Sequence, residues 1–264
     1  MRTNGLFVTR GLALGAAAML LGSSVALASE GGHATWQRSA DNEVANLPSL
    51  QRGARNFMAY CAGCHSLQYM RYSRLAEDLK IPDEQSDTYI VPRNAKFSDY
   101  IKTSMPAQDA TEWFGKAPPD LSLIARSRGT DYLFNFLTTF HADPASRQTG
   151  VNNLQLPGTA MPHVLAGLQG VQIAVWKDVE SKEKGSDGKP LVMKEFAGWK
   201  PGVAGSLTAE QYDEFVRDTV NFLAYVGDPS QLERKSLGIW VVLFLLMFTG
   251  IAYMLKSEYW KDVR

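Results

Sequence analysis

The stretch that most constrains this chain is Cys61-Ala62-Gly63-Cys64-His65. It holds the only two cysteines in 264 residues, with a histidine directly after the second. Two thiols spaced this way on one turn of chain can each add to one vinyl group of a porphyrin. The next side chain then lies under the iron, where a neutral imidazole nitrogen can bind it. The spacing therefore predicts one covalently attached haem c with His65 as an axial metal ligand. Such a site needs a rigid approach, and a helix that delivers its last turn to Cys61 would supply one.

Three other chemistries share these five residues. A thioredoxin-like dithiol uses the same Cys-x-x-Cys pair, but in a βαβ setting that the neighbouring sequence lacks. Two thiolates and an imidazole can hold three corners of a zinc site, with His33, His141, His163 or a carboxylate as the fourth ligand. A plain disulfide beside an incidental histidine is the third. Features at the ends of the chain and a second candidate ligand favour haem.

Residues 1–28 read as a secretory signal: Arg2 and Arg10 start it, Gly11 to Leu27 is apolar, and Ala26-Leu27-Ala28 fits a small-x-small cleavage site. Ser236 to Leu255 is uncharged and about 20 residues long, enough to span the hydrocarbon core of a bilayer. Trp240, Tyr253, Tyr259 and Trp260 suit the interfacial aromatic belt. The expected organisation is a signal at 1–28, an exported periplasmic domain at 29–233, a transmembrane anchor at 236–255 and a cytoplasmic tail at 256–264, in the inner (plasma) membrane. The formal net charge of zero hides a division. The exported part, Ser29 to Glu233, carries 25 acidic and 20 basic residues, a balance of −5. That favours basic soluble partners and disfavours nucleic acid.

Within the domain, His33 to Pro48 is polar and without period, an extended arm. Ser49 can cap a helix from Leu50 to Tyr60, with Leu50, Ala54, Phe57, Met58 and Cys61 on one stripe. A second helix is predicted over Arg71 to Leu79, and Asp83 to Asp109 reads as loop. Two prolines stiffen Ala117-Pro118-Pro119, and a short helix follows to Gly129. Thr130 or Asp131 can cap a buried helix from Tyr132 to Phe140. Gln172–Val179 and Leu191–Phe196 read as two strands joined by a turn at 186–189. The strongest helix signal comes last: Thr208 and Gln211 form a capping-box pair before Tyr212, Phe215, Val216, Thr219, Phe222, Leu223 and Val226, and Gly227-Asp228-Pro229 ends the run.

A second axial ligand closes the iron to gases and peroxide. Met161 stands in Leu156-Pro157-Gly158-Thr159-Ala160-Met161-Pro162, a stiff non-helical segment whose prolines fix φ. His163, two residues on, points the same way in an extended chain and is the rival ligand. Methionine raises the reduction potential relative to a second histidine.

Several stretches together resemble the cytochrome c1 family: Arg52-Gly53, Tyr60 to Ser66, Ala117-Pro-Pro-Asp-Leu-Ser-Leu123, Arg126, Asp131-Tyr-Leu-Phe134, Pro157-Gly with Ala160-Met-Pro162, and a C-terminal anchor. The resemblance runs from about His33 to the end and is closest to the bacterial form. It implies a mostly α, cytochrome c-like haem domain with long loops and a small hairpin, plus one C-terminal transmembrane helix. It implies the haem c subunit of a ubiquinol–cytochrome c oxidoreductase (bc1 complex), a redox carrier without a catalytic acid, base or nucleophile of its own. Its partners would be cytochrome b, a Rieske iron–sulfur protein that supplies electrons, and a soluble or tethered cytochrome c that takes them. By the same resemblance Met161 is the sixth ligand, Arg126 the propionate-facing arginine, Pro118 and Pro119 the haem-edge prolines, and Tyr132 the tyrosine near the same propionate. Some bacterial members brace the region before the methionine with an extra disulfide. This chain has no cysteines left for one, so Pro157, Pro162 and packing are expected to stiffen it.

Overall fold

Helix α1 (Leu47–Tyr60) and helix α7 (Ala209–Gly227) are the packed pair that carries the rest of the domain. A computed structural model describes residues 36–82, 84, 90–146, 149–184 and 190–262 of the chain. The expected signal peptide and the expected turn at 186–189 lie outside those residues. Helix α1 starts three residues earlier than its hydrophobic period predicts. Its cap is Asn46, whose side chain accepts from the Ser49 amide at 3.1 Å, with Pro48 in the first turn. The Ser49 hydroxyl is used elsewhere, donating to the Asp218 carboxylate of α7 at 2.7 Å. Helix α7 begins as expected, with the reciprocal Thr208–Gln211 box in place.

The α1–α7 seam combines close backbone approach with a polar lock. At Gly53, a Cβ would come 2.1 Å from the Asp218 carbonyl oxygen, so only glycine lets the helices cross here. Phe57 packs on Phe222 with ring centroids 5.7 Å apart, and Tyr60 meets Phe215 edge-on at 5.5 Å. Arg52 grips Asp218 with both Nε and Nη2, at 2.6 and 2.9 Å. A carboxylate this buried is tolerable because the guanidinium and the Ser49 hydroxyl replace its water.

The remaining elements surround that pair. Strand β1 (Leu67–Arg71) pairs antiparallel with β2 (Tyr100–Ile101), and α2 (Tyr72–Asp78) follows β1 directly. Arg71 thus ends a strand instead of starting a helix. Helix α3 (Ala107–Phe114) begins where a loop was expected to be ending. Helices α4 (Ile124–Arg128) and α5 (Thr130–Thr138) come next, then β3 (Phe140–Ala142) paired with β4 (Val151–Asn153). Neither Thr130 nor Asp131 caps α5. Asp131 Oδ1 instead accepts from the Ala40 amide at 2.7 Å and the Ser39 hydroxyl at 3.3 Å, pinning the N-terminal arm. Phe140 leaves the helix to pair with Asn153.

A single turn, α6 (Ala166–Gln169), leads into a hairpin of β5 (Gly170–Lys184) and β6 (Pro190–Ala204). At 15 residues per strand it far exceeds the small hairpin expected, and Trp176, Phe196 and Trp199 form an aromatic cluster with His141 on it. Helix α8 (Gln231–Tyr259) starts four residues after α7 ends. It is 29 residues long, with an 18-residue window of mean hydropathy 2.2 and no buried residue, and is long and apolar enough to cross a membrane. The fold is mostly helical, as expected, with one C-terminal apolar helix.

Candidate haem-binding site

Helix α1 runs straight into the Cys61 turn. The amides of Cys61 and Ala62 both reach the Phe57 carbonyl, at 2.8 and 2.9 Å, and those of Cys64 and His65 both reach the Cys61 carbonyl, at 3.0 and 2.8 Å. The two thiols and the imidazole therefore leave one tight turn. Neighbouring loops fasten it: Thr103 donates to the Gly63 carbonyl at 2.7 Å, and the Leu121 amide to the Ser66 carbonyl at 2.9 Å. Both cysteines are free thiols, and burial, with Cys64 nearby, pushes the Cys61 thiol up to about 12.

His65 Nδ1 lies 2.8 Å from the Pro119 carbonyl. A carbonyl only accepts, so Nδ1 carries the proton and Nε2 keeps a bare lone pair, the tautomer a metal ligand needs. Burial lowers the proton affinity of His65 below the ordinary histidine value, opposed by the Pro119 hydrogen bond and by Asp120.

One cavity of about 420 Å³ is lined by Cys61, Cys64, His65, Pro118 and Pro119 and also by the Pro157–Pro162 segment, Met161 included. That segment is held by the two asparagines of β4. Asn153 Oδ1 accepts from the amides of Gln155 and Leu156, at 2.9 and 3.1 Å, and its Nδ2 donates to the Phe136 carbonyl at 2.7 Å. Asn152 Oδ1 accepts from the Gly158 amide at 2.8 Å, where φ of +74° suits glycine. A pair of side-chain amides thus adds to the brace expected from prolines and packing.

His163 does not line this cavity. The Val164 amide folds back to the Pro162 carbonyl at 2.9 Å, and this turn breaks the alternation that would have aimed Met161 and His163 alike. The His163 ring instead stacks on Phe140, 4.9 Å between centroids and 3° from parallel, and burial pushes its pKa down to about 4. Its Nε2 is buried and makes no well-formed hydrogen bond, although Gln169 and the Gly170 backbone lie close enough to offset part of the burial effect.

Arg126 and Tyr132 are also absent from the cavity lining. Arg126 forms an ion pair with Asp228 at 3.3 Å, and Tyr132 stacks on Phe136, which does line the cavity, at 6.5 Å. Sequence reasoning missed Tyr60, Phe114, Lys116, Phe136, Leu156 and Val164 as lining residues. Tyr60 and Leu156 begin stretches that were recognised, Lys116 flanks one, and Phe136 falls four positions after Tyr132 on α5, so membership of or proximity to those motifs was the available signal.

The donor set fits a haem c. Two free thiols and an imidazole with its Nε2 unprotonated share one largely apolar cavity with a thioether. Among the described residues, which do not include His33, no group of three or more His, Cys, Asp or Glu side chains is placed to hold a metal ion.

The Cytochrome C1 family model matches residues 36–174 and 205–263. The chain is 46% identical to cytochrome c1 of Allochromatium vinosum over 93% of this chain and 96% of that protein. It is 41% identical to the ammonia monooxygenase gamma subunit of Nitrosomonas europaea, over 83% and 85%. Cytochrome c1 of Rhodospirillum rubrum is 28% identical over 96% and 97%. A turn that presents two thiols and a metal-ready imidazole, facing a braced methionine loop, is thus found in a chain that belongs to the cytochrome c1 family: an electron-transfer subunit of the bc1 complex that carries covalent haem c.

Proposed function

We propose that Cys61 and Cys64 hold the haem by thioether bonds, that His65 Nε2 and the Met161 sulfur are its axial ligands, and that Pro118 and Pro119 close its edge. Arg126 and Tyr132 serve its propionate end. The reading rests on one observation: the attachment turn and the Met161 segment line the same cavity, while His163 is turned out of it and stacked on Phe140. When bound, the iron supplies one-electron chemistry, alternating between ferrous and ferric. The protein's own contribution is positional. Pro119 fixes the His65 tautomer, Asn152 and Asn153 hold the thioether in place, and the soft sulfur favours ferrous iron over what a second imidazole would give.

Within a quinol-oxidising complex, a Rieske iron–sulfur protein supplies the electron, and a soluble or tethered cytochrome c accepts it. Helix α8 packs against cytochrome b, the domain at 29–233 lies on the periplasmic side, and residues 256–264 stay in the cytoplasm. The acidic balance of the exported domain suits a basic acceptor. The likeness to an ammonia monooxygenase gamma subunit favours a second assembly built on the same haem domain. Co-purification of the full chain with cytochrome b separates the two.

The ligand test uses two variants of the full chain. Met161→Leu is expected to lose the sulfur-to-iron charge-transfer band, to lower the potential and to admit carbon monoxide. His163→Ala is expected to keep the band. The reverse pattern would make the site bis-histidine and overturn the assignment.

A further inference from the structure

Asp228 ends α7, and its carboxylate takes two arginines from different elements. Arg234, in the first turn of α8, reaches it with both terminal nitrogens, at 2.6 and 3.3 Å. Arg126, in α4, reaches the same Oδ2 at 3.3 Å. The Asp228 side chain is only 11% exposed, whereas that of Arg126 is 58% exposed.

The position is a poor one for a carboxylate considered alone. It lies at the negative end of a 19-residue helix and is largely removed from water, and both effects disfavour the charge. Two guanidiniums reverse that and leave the cluster with one positive charge in excess. Arg126 spends one terminal nitrogen on Asp228, so other donors of its fork remain for a second carboxylate. Its stem runs beside the end of α7, where a Cβ on Gly227 would lie 3.2 Å from Arg126 Cγ. Chain connection sets its neighbourhood: Pro119 lines the cavity, Leu121 is tied to Ser66, and α4 follows within three residues.

We propose that Asp228 is a positioning residue that holds Arg126 for a haem propionate and, through Arg234, fixes the haem-facing cation to the membrane anchor. This rests on the assignment of Arg126 to the propionate end. Without Asp228 the guanidinium is free to follow solvent, and the stabilisation it gives to ferrous haem is lost.

The sign of the effect separates positioning from simple charge. Removing a negative charge near the iron by itself raises the potential. Releasing Arg126 lowers it. Redox titration of the detergent-solubilised full chain should therefore show that Arg126→Gln lowers the ferrous:ferric ratio at fixed solution potential by about tenfold, which is about 59 mV for a one-electron couple. Asp228→Asn should lower it in the same direction, and in the Arg126→Gln background should lower it no further or raise it. Arg234→Gln removes a cation of the same cluster but leaves Arg126 moored, so it should lower the ratio by clearly less than Asp228→Asn does.

If Asp228→Asn shifts the ratio equally in both backgrounds, or Arg234→Gln matches it, the positioning role is overturned. If Arg126→Gln leaves the ratio unchanged while haem staining on a denaturing gel persists, the Arg126 assignment fails and the haem site stands. Should Asp228→Asn not accumulate, Asp228→Glu, one methylene longer, is read in its place. It is expected to lower the ratio only when Arg126 is present, and an equal shift in both backgrounds overturns the proposal in that variant too.

Discussion

Gly53→Ala tests what holds the attachment turn in place. The new Cβ would lie 2.1 Å from the Asp218 carbonyl oxygen, 2.6 Å from Phe222 Cβ and 2.8 Å from the Asp218 carbonyl carbon. Two of these atoms are backbone of a buried helix and the third is fixed to it, so no rotamer change relieves the overlap. Helices α1 and α7 must separate by about 1 Å or more to restore ordinary contact distances. Overpacking costs typically about 1–3 kcal/mol when side chains can yield, and a backbone clash belongs at or above the top of that range. Alanine in a helix recovers up to about 1 kcal/mol relative to glycine, which leaves a net loss of about 2–3 kcal/mol. For a protein of this size that lowers Tm by roughly 4–12 °C. Separation also loosens Phe57–Phe222 and the Arg52–Asp218 lock, so the variant should show a weakened low-spin haem spectrum before it unfolds. The assay is thermal unfolding of the detergent-solubilised full chain followed at the haem band, with the neighbouring buried Ala54→Gly as a control. A Gly53→Ala protein that melts at or above the parent temperature with an unchanged spectrum would refute the close-crossing argument.

Thr208→Ala removes the hydroxyl that accepts from the Gln211 amide and should destabilise the domain by about 1 kcal/mol, measured by denaturant midpoint with unchanged slope. Asp143 is held below its ordinary carboxylate value by the Asn152 side chain and the Ala145 amide. Its depressed folded pKa gives stability that is present above the unfolded value of 3.8 and is lost as pH falls through the folded one. Asp143→Asn should therefore be slightly less stable than the parent at neutral pH and equal to it in strong acid. A deficit that persists there would mean the loss is not electrostatic.

The Cys61–His65 turn, the Met161 segment, the capping box of α7 and the apolar run of α8 were all legible in the amino-acid sequence. Each is local. Haem attachment needs three side chains within five residues, a capping box needs two within four, and a membrane span needs only length and the absence of charge. The sequence also carried the methionine loop, because two prolines fix φ within a few residues and the glycine between them permits the turn.

What tertiary structure decided lies between segments distant in the chain. Asn46 caps α1 because Ser49 is drawn to Asp218, 169 positions away. Asp131 leaves the start of α5 uncapped because it serves Ala40, 91 positions back. Met161 lines the cavity and His163 does not, since a turn at Pro162 and the Phe140 ring take the histidine to the other side. Asn152 and Asn153 look like ordinary polar strand residues until their amides are seen holding the Met161 segment. Asp228 looks like a helix stop until Arg126 and Arg234 converge on it. A polar side chain of this kind has several partners of similar strength within reach, and only the packed chain determines which one it meets, because burial makes the unmade bond costly.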